Sequence, residues 1–130
     1  MKTAAETNPD PPAVPTILVV DDEVLVRLAI VEELRAAGLM VVEAASGDEA
    51  ILILKTANTI GLVITDVHMP GQTDGYALVA WLRNEMPHIK VIVMSGRAVV
   101  EGIADCGYSK PLNLQALVRR ARDLLPGTPR

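Results

Sequence analysis

The chain has 130 residues, enough for one domain with a buried core and too few for two. Half of these residues are hydrophobic, which excludes a disordered body, and one Trp, two Tyr and no Phe leave the core to aliphatic side chains. A net charge of −4 argues against a general nucleic-acid surface and a polybasic membrane patch, and the one cysteine, Cys106, excludes a disulfide within the chain and fits a reducing compartment.

Residues 1–15 carry Pro9, Pro11, Pro12 and Pro15 among small polar residues and read as an extended, flexible tail. Met1-Lys2-Thr3-Ala4-Ala5-Glu6 has no apolar segment behind it, and no run in the chain approaches a membrane span, so a cytoplasmic location is expected. The folded part is expected over 16–125. Ile17-Leu18-Val19-Val20 reads as a parallel strand buried on both faces, because such a strand needs an apolar side chain at every position. A helix follows near 23–37, with Glu32, Glu33 and Arg35 on its polar face and Gly38 placed to cap its end. Leu39-Met40-Val41-Val42 is the second strand, with Met40, like Met86 and Met94, read as core or helix-end filling. Ser46-Gly47-Asp48-Glu49 is a capping-box pattern that opens a helix reaching about Ala57. A third strand is expected at 61–65, a helix over 74–86 stopped by Pro87, and a fourth strand at 89–94. A short fifth strand candidate precedes Lys110. The last helix begins near Asn113 and repeats Leu114, Leu117, Val118, Ala121 and Leu125 at helical spacing, and 126–130 form a short tail. Strands alternating with helices imply an α/β domain: a doubly wound, five-stranded parallel sheet of flavodoxin-like order with helices on both faces.

The chemistry gathers at strand ends. The first strand runs into Asp21-Asp22, the third into Asp66, the fourth into Ser95, and Lys110 follows the short candidate. Carboxyl ends of strands are where open α/β sheets bind their ligands. Three carboxylates held close together repel one another, so some stay protonated or a cation sits among them. With only oxygen ligands on offer the cation should be hard, and Mg²⁺ suits a few carboxylates and waters. Such an ion beside a hydroxyl and an amine suits phosphoryl transfer, in which an aspartate can itself be the nucleophile.

Val20-Asp21-Asp22-Glu23, Asp66-Val67-His68-Met69-Pro70-Gly71, Ser95-Gly96 and Lys110-Pro111, in this order and spacing, resemble the four marker segments of the receiver domain of two-component response regulators. The resemblance covers about 16–125. It implies that Asp66 is the phosphoacceptor and that Asp22 binds Mg²⁺ directly, with Asp21 assisting through water and the backbone carbonyl of His68 adding a ligand. It further implies that Ser95 hydrogen-bonds the phosphoryl oxygen and that Lys110 pairs with the phosphoryl group or with Asp66. The phosphoryl donor would be a phosphohistidine on a sensor histidine kinase or a histidine phosphotransfer protein. As five residues follow Leu125, no DNA-binding output domain is expected. The signal would then leave by contact with a downstream protein target or by phosphorelay, from a monomer or a phosphorylation-dependent dimer. The protein would be a signalling protein rather than an enzyme, although it catalyses its own phosphorylation and dephosphorylation.

The chain departs from the family pattern in three places. The loop Met69 to Gly75 is one residue longer than the common one. Between Ser95 and Lys110 stand fourteen residues, Gly96 to Ser109, for a loop, a helix, another loop and a strand. An average helix alone uses about 11–12, so a fourth helix here is expected to be short or irregular. Tyr108 stands two residues before Lys110, where the family's switch aromatic stands three before. Competing readings are a receiver-like binding module that signals without phosphate, a haloacid-dehalogenase-type phosphatase and a flavin- or nucleotide-binding flavodoxin-like module. The phosphatase needs Asp-x-Asp, whereas Asp21 and Asp22 are adjacent. The flavodoxin-like module needs a phosphate-accepting loop where the acids stand.

Overall fold

In the computed structural model, residues 15–69, 71, 73–95, 105–109 and 113–125 are described. Lys110, the residues 96–104 that bear on the fourth-helix reading, and all of the two tails except Pro15 lie outside the described residues. Among the described residues the elements follow in the order β1 (Thr16–Val20), α1 (Val24–Ala36), β2 (Met40–Ala44), α2 (Gly47–Thr56), β3 (Ile60–Asp66), α3 (Gly75–Glu85), β4 (Lys90–Ser95), β5 (Cys106–Ser109) and α4 (Leu114–Leu124). All pairings are parallel and the sheet order is β2-β1-β3-β4-β5. This is the flavodoxin-like order expected from the sequence.

Side-chain alternation along the central strands divides the core in two. Ile17, Val19, Leu62, Ile64, Ile92 and Met94 face α1 and α4, meeting Ile30, Val31 and Leu34 from the first and Leu117 and Ala121 from the second. Leu18, Val20, Val63, Val91 and Val93 face α2 and α3, meeting Ala50, Leu54, Leu78, Val79 and Leu82. Every residue of β1 is buried, which is why Ile17 to Val20 are apolar without a break. Each large aliphatic side chain so enclosed contributes about 1.5–3 kcal/mol.

Helix ends are set by local chemistry. Ser46 Oγ accepts the Glu49 N–H (3.1 Å), while the Glu49 carboxylate reaches back to the Ala45 N–H (2.6 Å), one residue before the cap. Asp74 Oδ1 accepts the Ala77 N–H (2.9 Å) and Asn113 Oδ1 the Ala116 N–H (3.0 Å), fixing the starts of α3 and α4. Gly38, at φ +87°, takes the left-handed conformation that ends α1.

Two details differ from the sequence reading. β2 continues to Ala44 because its ladder with β1 persists through Val19↔Glu43 and Val20↔Ala44. Met40, expected as filling, is 55% exposed, because β2 is the edge strand and its first residue lies at the margin of the sheet. Among the described residues no helix is long and apolar enough to cross a membrane.

Candidate functional site

In the sheet order, β1 has β2 on one side and β3 on the other, so chain connections leave in opposite directions between β1 and β3. A crevice opens at the carboxyl ends of strands where connections diverge in this way. Asp21 and Asp22 follow β1 directly and Asp66 ends β3, so both acidic segments come to this one point. One carboxylate oxygen from each of the three lies within 4.8 Å of those from the other two. Asp21 and Asp66 are buried and Asp22 is exposed, giving the cluster two inner walls and an outer lip.

The backbone around Asp21 and around Asp66 is fixed separately. The Asp21 N–H donates to the Ala44 carbonyl (3.2 Å), and Asp21 Oδ1 accepts the Glu23 N–H (2.9 Å). Asp66 Oδ1 accepts the His68 N–H (3.2 Å), which turns the carboxylate back over the loop leaving β3. The Val67 N–H donates to the Met94 carbonyl (3.0 Å) and its carbonyl accepts the Gly75 N–H (3.0 Å), so the peptide after Asp66 is held by β4 and by the start of α3. The hydroxyl of Thr65, fully buried, donates to the Asp66 carbonyl (2.8 Å).

Ser95, also fully buried, closes β4, one residue past Met94, the register partner of Asp66. Its own partner is Ser109, the residue before Lys110 in the chain. The His68 side chain is exposed and meets the Tyr76 ring edge-on, with centroids 6.0 Å apart.

Sequence reasoning overlooked two contributors. At Gly75 a Cβ would run into the Asp66 carbonyl oxygen and the Val67 Cα, so α3 approaches the Asp66–Val67 peptide more closely than any side chain allows. The signal was present: a glycine in the first helical position after a good N-cap, where most residues would favour the helix more. The other is Arg27, whose guanidinium donates to the Asp21 carbonyl (2.7 Å) and to Glu43 Oε1 (3.0 Å).

The donor set fits Mg²⁺. It is all oxygen, charged, and open to water on the Asp22 side. Ligands opposite one another on Mg²⁺ lie about 4.2 Å apart, so oxygens at this spacing suit a mixture of direct and water-bridged coordination.

The family model for the response regulator receiver domain matches residues 17–122. The chain belongs to this family. Among curated relatives, the sensor kinase CckA of Brucella abortus is 36% identical over 85% of this chain, and the aerobic respiration control protein ArcA of Escherichia coli is 36% identical over 88%. The receiver chain spans 12% of the first and 50% of the second. Solved receiver structures match over nearly their full length. The receiver domain of the hybrid histidine kinase CckA is 38% identical with a TM-score of 0.70, covering 85% of this chain and 98% of that one. The response regulator TrrA of Thermotoga maritima, crystallised with Mg(2+)-BeF, is 30% identical with a TM-score of 0.78, covering 86% of this chain and 100% of that one.

Proposed function

We propose that this receiver accepts a phosphoryl group on Asp66 in a Mg²⁺-dependent reaction and passes its state on through protein contacts. The observation that carries this reading is the convergence of Asp21, Asp22 and Asp66 at the divergence of β1 and β3, with Asp66 at the end of its strand. Asp21, Asp22, Asp66 and the His68 carbonyl would hold the ion, which when bound offsets charge on the transferring group's oxygens. A carboxylate oxygen of Asp66 attacks phosphorus, the P–N bond of a phosphohistidine breaks, and its electron pair returns to the imidazole. The His68 N–H orients the carboxylate for this attack, and Ser95 and Lys110 are assigned to the phosphoryl oxygens. The chain acts as a signalling protein, consuming its donor once per cycle rather than turning over a separate substrate.

A sensor histidine kinase or histidine phosphotransfer protein is the assigned donor. Beside the acidic lip, α1 exposes Val24 (54%), Leu25 (82%) and Leu28 (41%), an apolar collar suited to a protein rather than a small molecule. Leu25→Glu should therefore slow transfer from a phosphorylated histidine phosphotransfer protein at least ten-fold while leaving uptake from acetyl phosphate within two-fold of wild type, about 1.4 kcal/mol lost only where a protein docks. Equal slowing with both donors would place the defect in the site itself.

The reading is tested by intact mass after incubation with acetyl phosphate, with and without EDTA. One added phosphoryl group, seen only with Mg²⁺, is expected. No adduct in either sample, together with no response to beryllofluoride, would leave a binding module that signals without phosphate.

A further inference from the structure

We propose that Arg27 is a positioning residue of the metal centre, aiming Asp22 by holding the peptide plane between Asp21 and Asp22. The inference rests on the reading that the three carboxylates hold Mg²⁺. The Asp21 carbonyl and the Asp22 N–H belong to one rigid peptide unit, so fixing that carbonyl fixes the direction in which Asp22 leaves the strand. Asp22 needs such aiming most, because its side chain is exposed and no packing orients it, whereas Asp21 and Asp66 are enclosed.

Arg27 is built for the task. It lies in the first turn of α1, where its own N–H donates to the Glu23 carbonyl (2.9 Å). From there Nη1 donates to the Asp21 carbonyl at 2.7 Å while Nε donates to Glu43 Oε1 at 3.0 Å, with the Arg27 and Glu43 side chains 15% and 30% exposed. One planar guanidinium thus ties the end of β1 to the end of β2 through α1. Lysine presents a compact ammonium and cannot reproduce this two-ended fork. Glu43 completes the arrangement by holding the guanidinium at its Nε edge while Nη1 reaches the Asp21 carbonyl.

The sign of the effect separates this role from simple charge balance. Arg27→Gln removes a cation beside three carboxylates, and charge alone would then tighten Mg²⁺ binding. Loss of the tie to Asp21 acts the other way, since the outer carboxylate is no longer aimed. Outer partners of metal ligands typically contribute 10–100-fold to affinity.

The experiment is calorimetric titration of Mg²⁺ into the metal-free full chain of wild type, Arg27→Gln and Arg27→Lys, with urea unfolding of each without metal. Roughly ten-fold weaker Mg²⁺ binding in both variants is expected. Tighter or unchanged binding in Arg27→Gln, wild-type affinity in Arg27→Lys, or a loss of stability with no change in affinity would overturn the assignment. If Arg27→Gln does not fold, the Lys variant decides alone. A wild type that binds no Mg²⁺ would bring down the reading of the site as well; normal wild-type binding with unaltered variants would bring down only the role of Arg27.

Discussion

Asp66→Asn should show no added phosphoryl mass under any condition, yet be more stable than wild type in the absence of metal. The first effect follows from the nucleophile, because an amide oxygen does not form the acyl phosphate. The second follows from electrostatics. Two unit charges at about 5 Å and an effective dielectric constant near 20 interact by roughly 3 kcal/mol, and exposure of Asp22 and salt reduce this. A net gain on the order of 1–2 kcal/mol is therefore expected, since the substitution removes one of three carboxylates whose oxygens lie within 4.8 Å of one another. Asparagine keeps an Oδ1 that can accept the His68 N–H, so the loop after β3 should retain its anchor. Adding Mg²⁺ should invert the order. A ligand at a hundred times its Kd stabilises the protein that binds it by about 2.7 kcal/mol, and the variant would forgo most of that. Urea midpoints of both proteins with EDTA and with saturating Mg²⁺ measure all of this. A variant less stable than wild type without metal would show that the attractive contacts of the Asp66 carboxylate outweigh this repulsion.

The same clustering explains how far the site could be read from the sequence. Acidic residues immediately after apolar runs are legible because parallel strands are buried on both faces, so the first charged residue marks the strand end and the sheet edge together. Asp21, Asp22 and Asp66 stand out for this reason, and Ser46 and Asn113 for their short-range capping chemistry. Arg27 and Glu43 were not legible. A polar residue one turn into a helix reads as its solvated face, and a Glu after Val41-Val42 reads as the strand's end; only tertiary pairing of β1 with β2 brings them together and keeps β2 going to Ala44. The exposed apolar collar on α1 was hidden for a related reason. Val24, Leu25 and Leu28 share the composition of the buried Ile30, Val31 and Leu34, and periodicity alone does not say which part of a helix overhangs the sheet.

Gly75→Ala should be the most damaging small substitution near the site, costing roughly 2–3 kcal/mol and reducing phosphoryl uptake on the order of 10²-fold. A methyl group there meets backbone, the Asp66 carbonyl oxygen, the Asp66 carbonyl carbon (2.8 Å) and the Val67 Cα, with no flexible side chain to move aside. Either the start of α3 withdraws or the Asp66–Val67 peptide tilts. Withdrawal lengthens the Gly75 N–H bond to the Val67 carbonyl (3.0 Å), and tilting disturbs the Val67 N–H bond to the Met94 carbonyl (3.0 Å). Both peptides set the direction of the Asp66 carboxylate, so damage to fold and to chemistry should come together. Gly38→Ala is the matched control. Nothing lies within 4 Å of a Cβ at Gly38, and the cost there, about 1 kcal/mol, arises from its φ of +87° alone. Gly38 caps α1 at the end away from the carboxylates, so its alanine variant should lose some stability and keep wild-type phosphoryl uptake. Urea unfolding and acetyl phosphate kinetics on both variants give the comparison. If Gly75→Ala loses stability but phosphorylates at the wild-type rate, the close approach of α3 supports the fold without aligning Asp66.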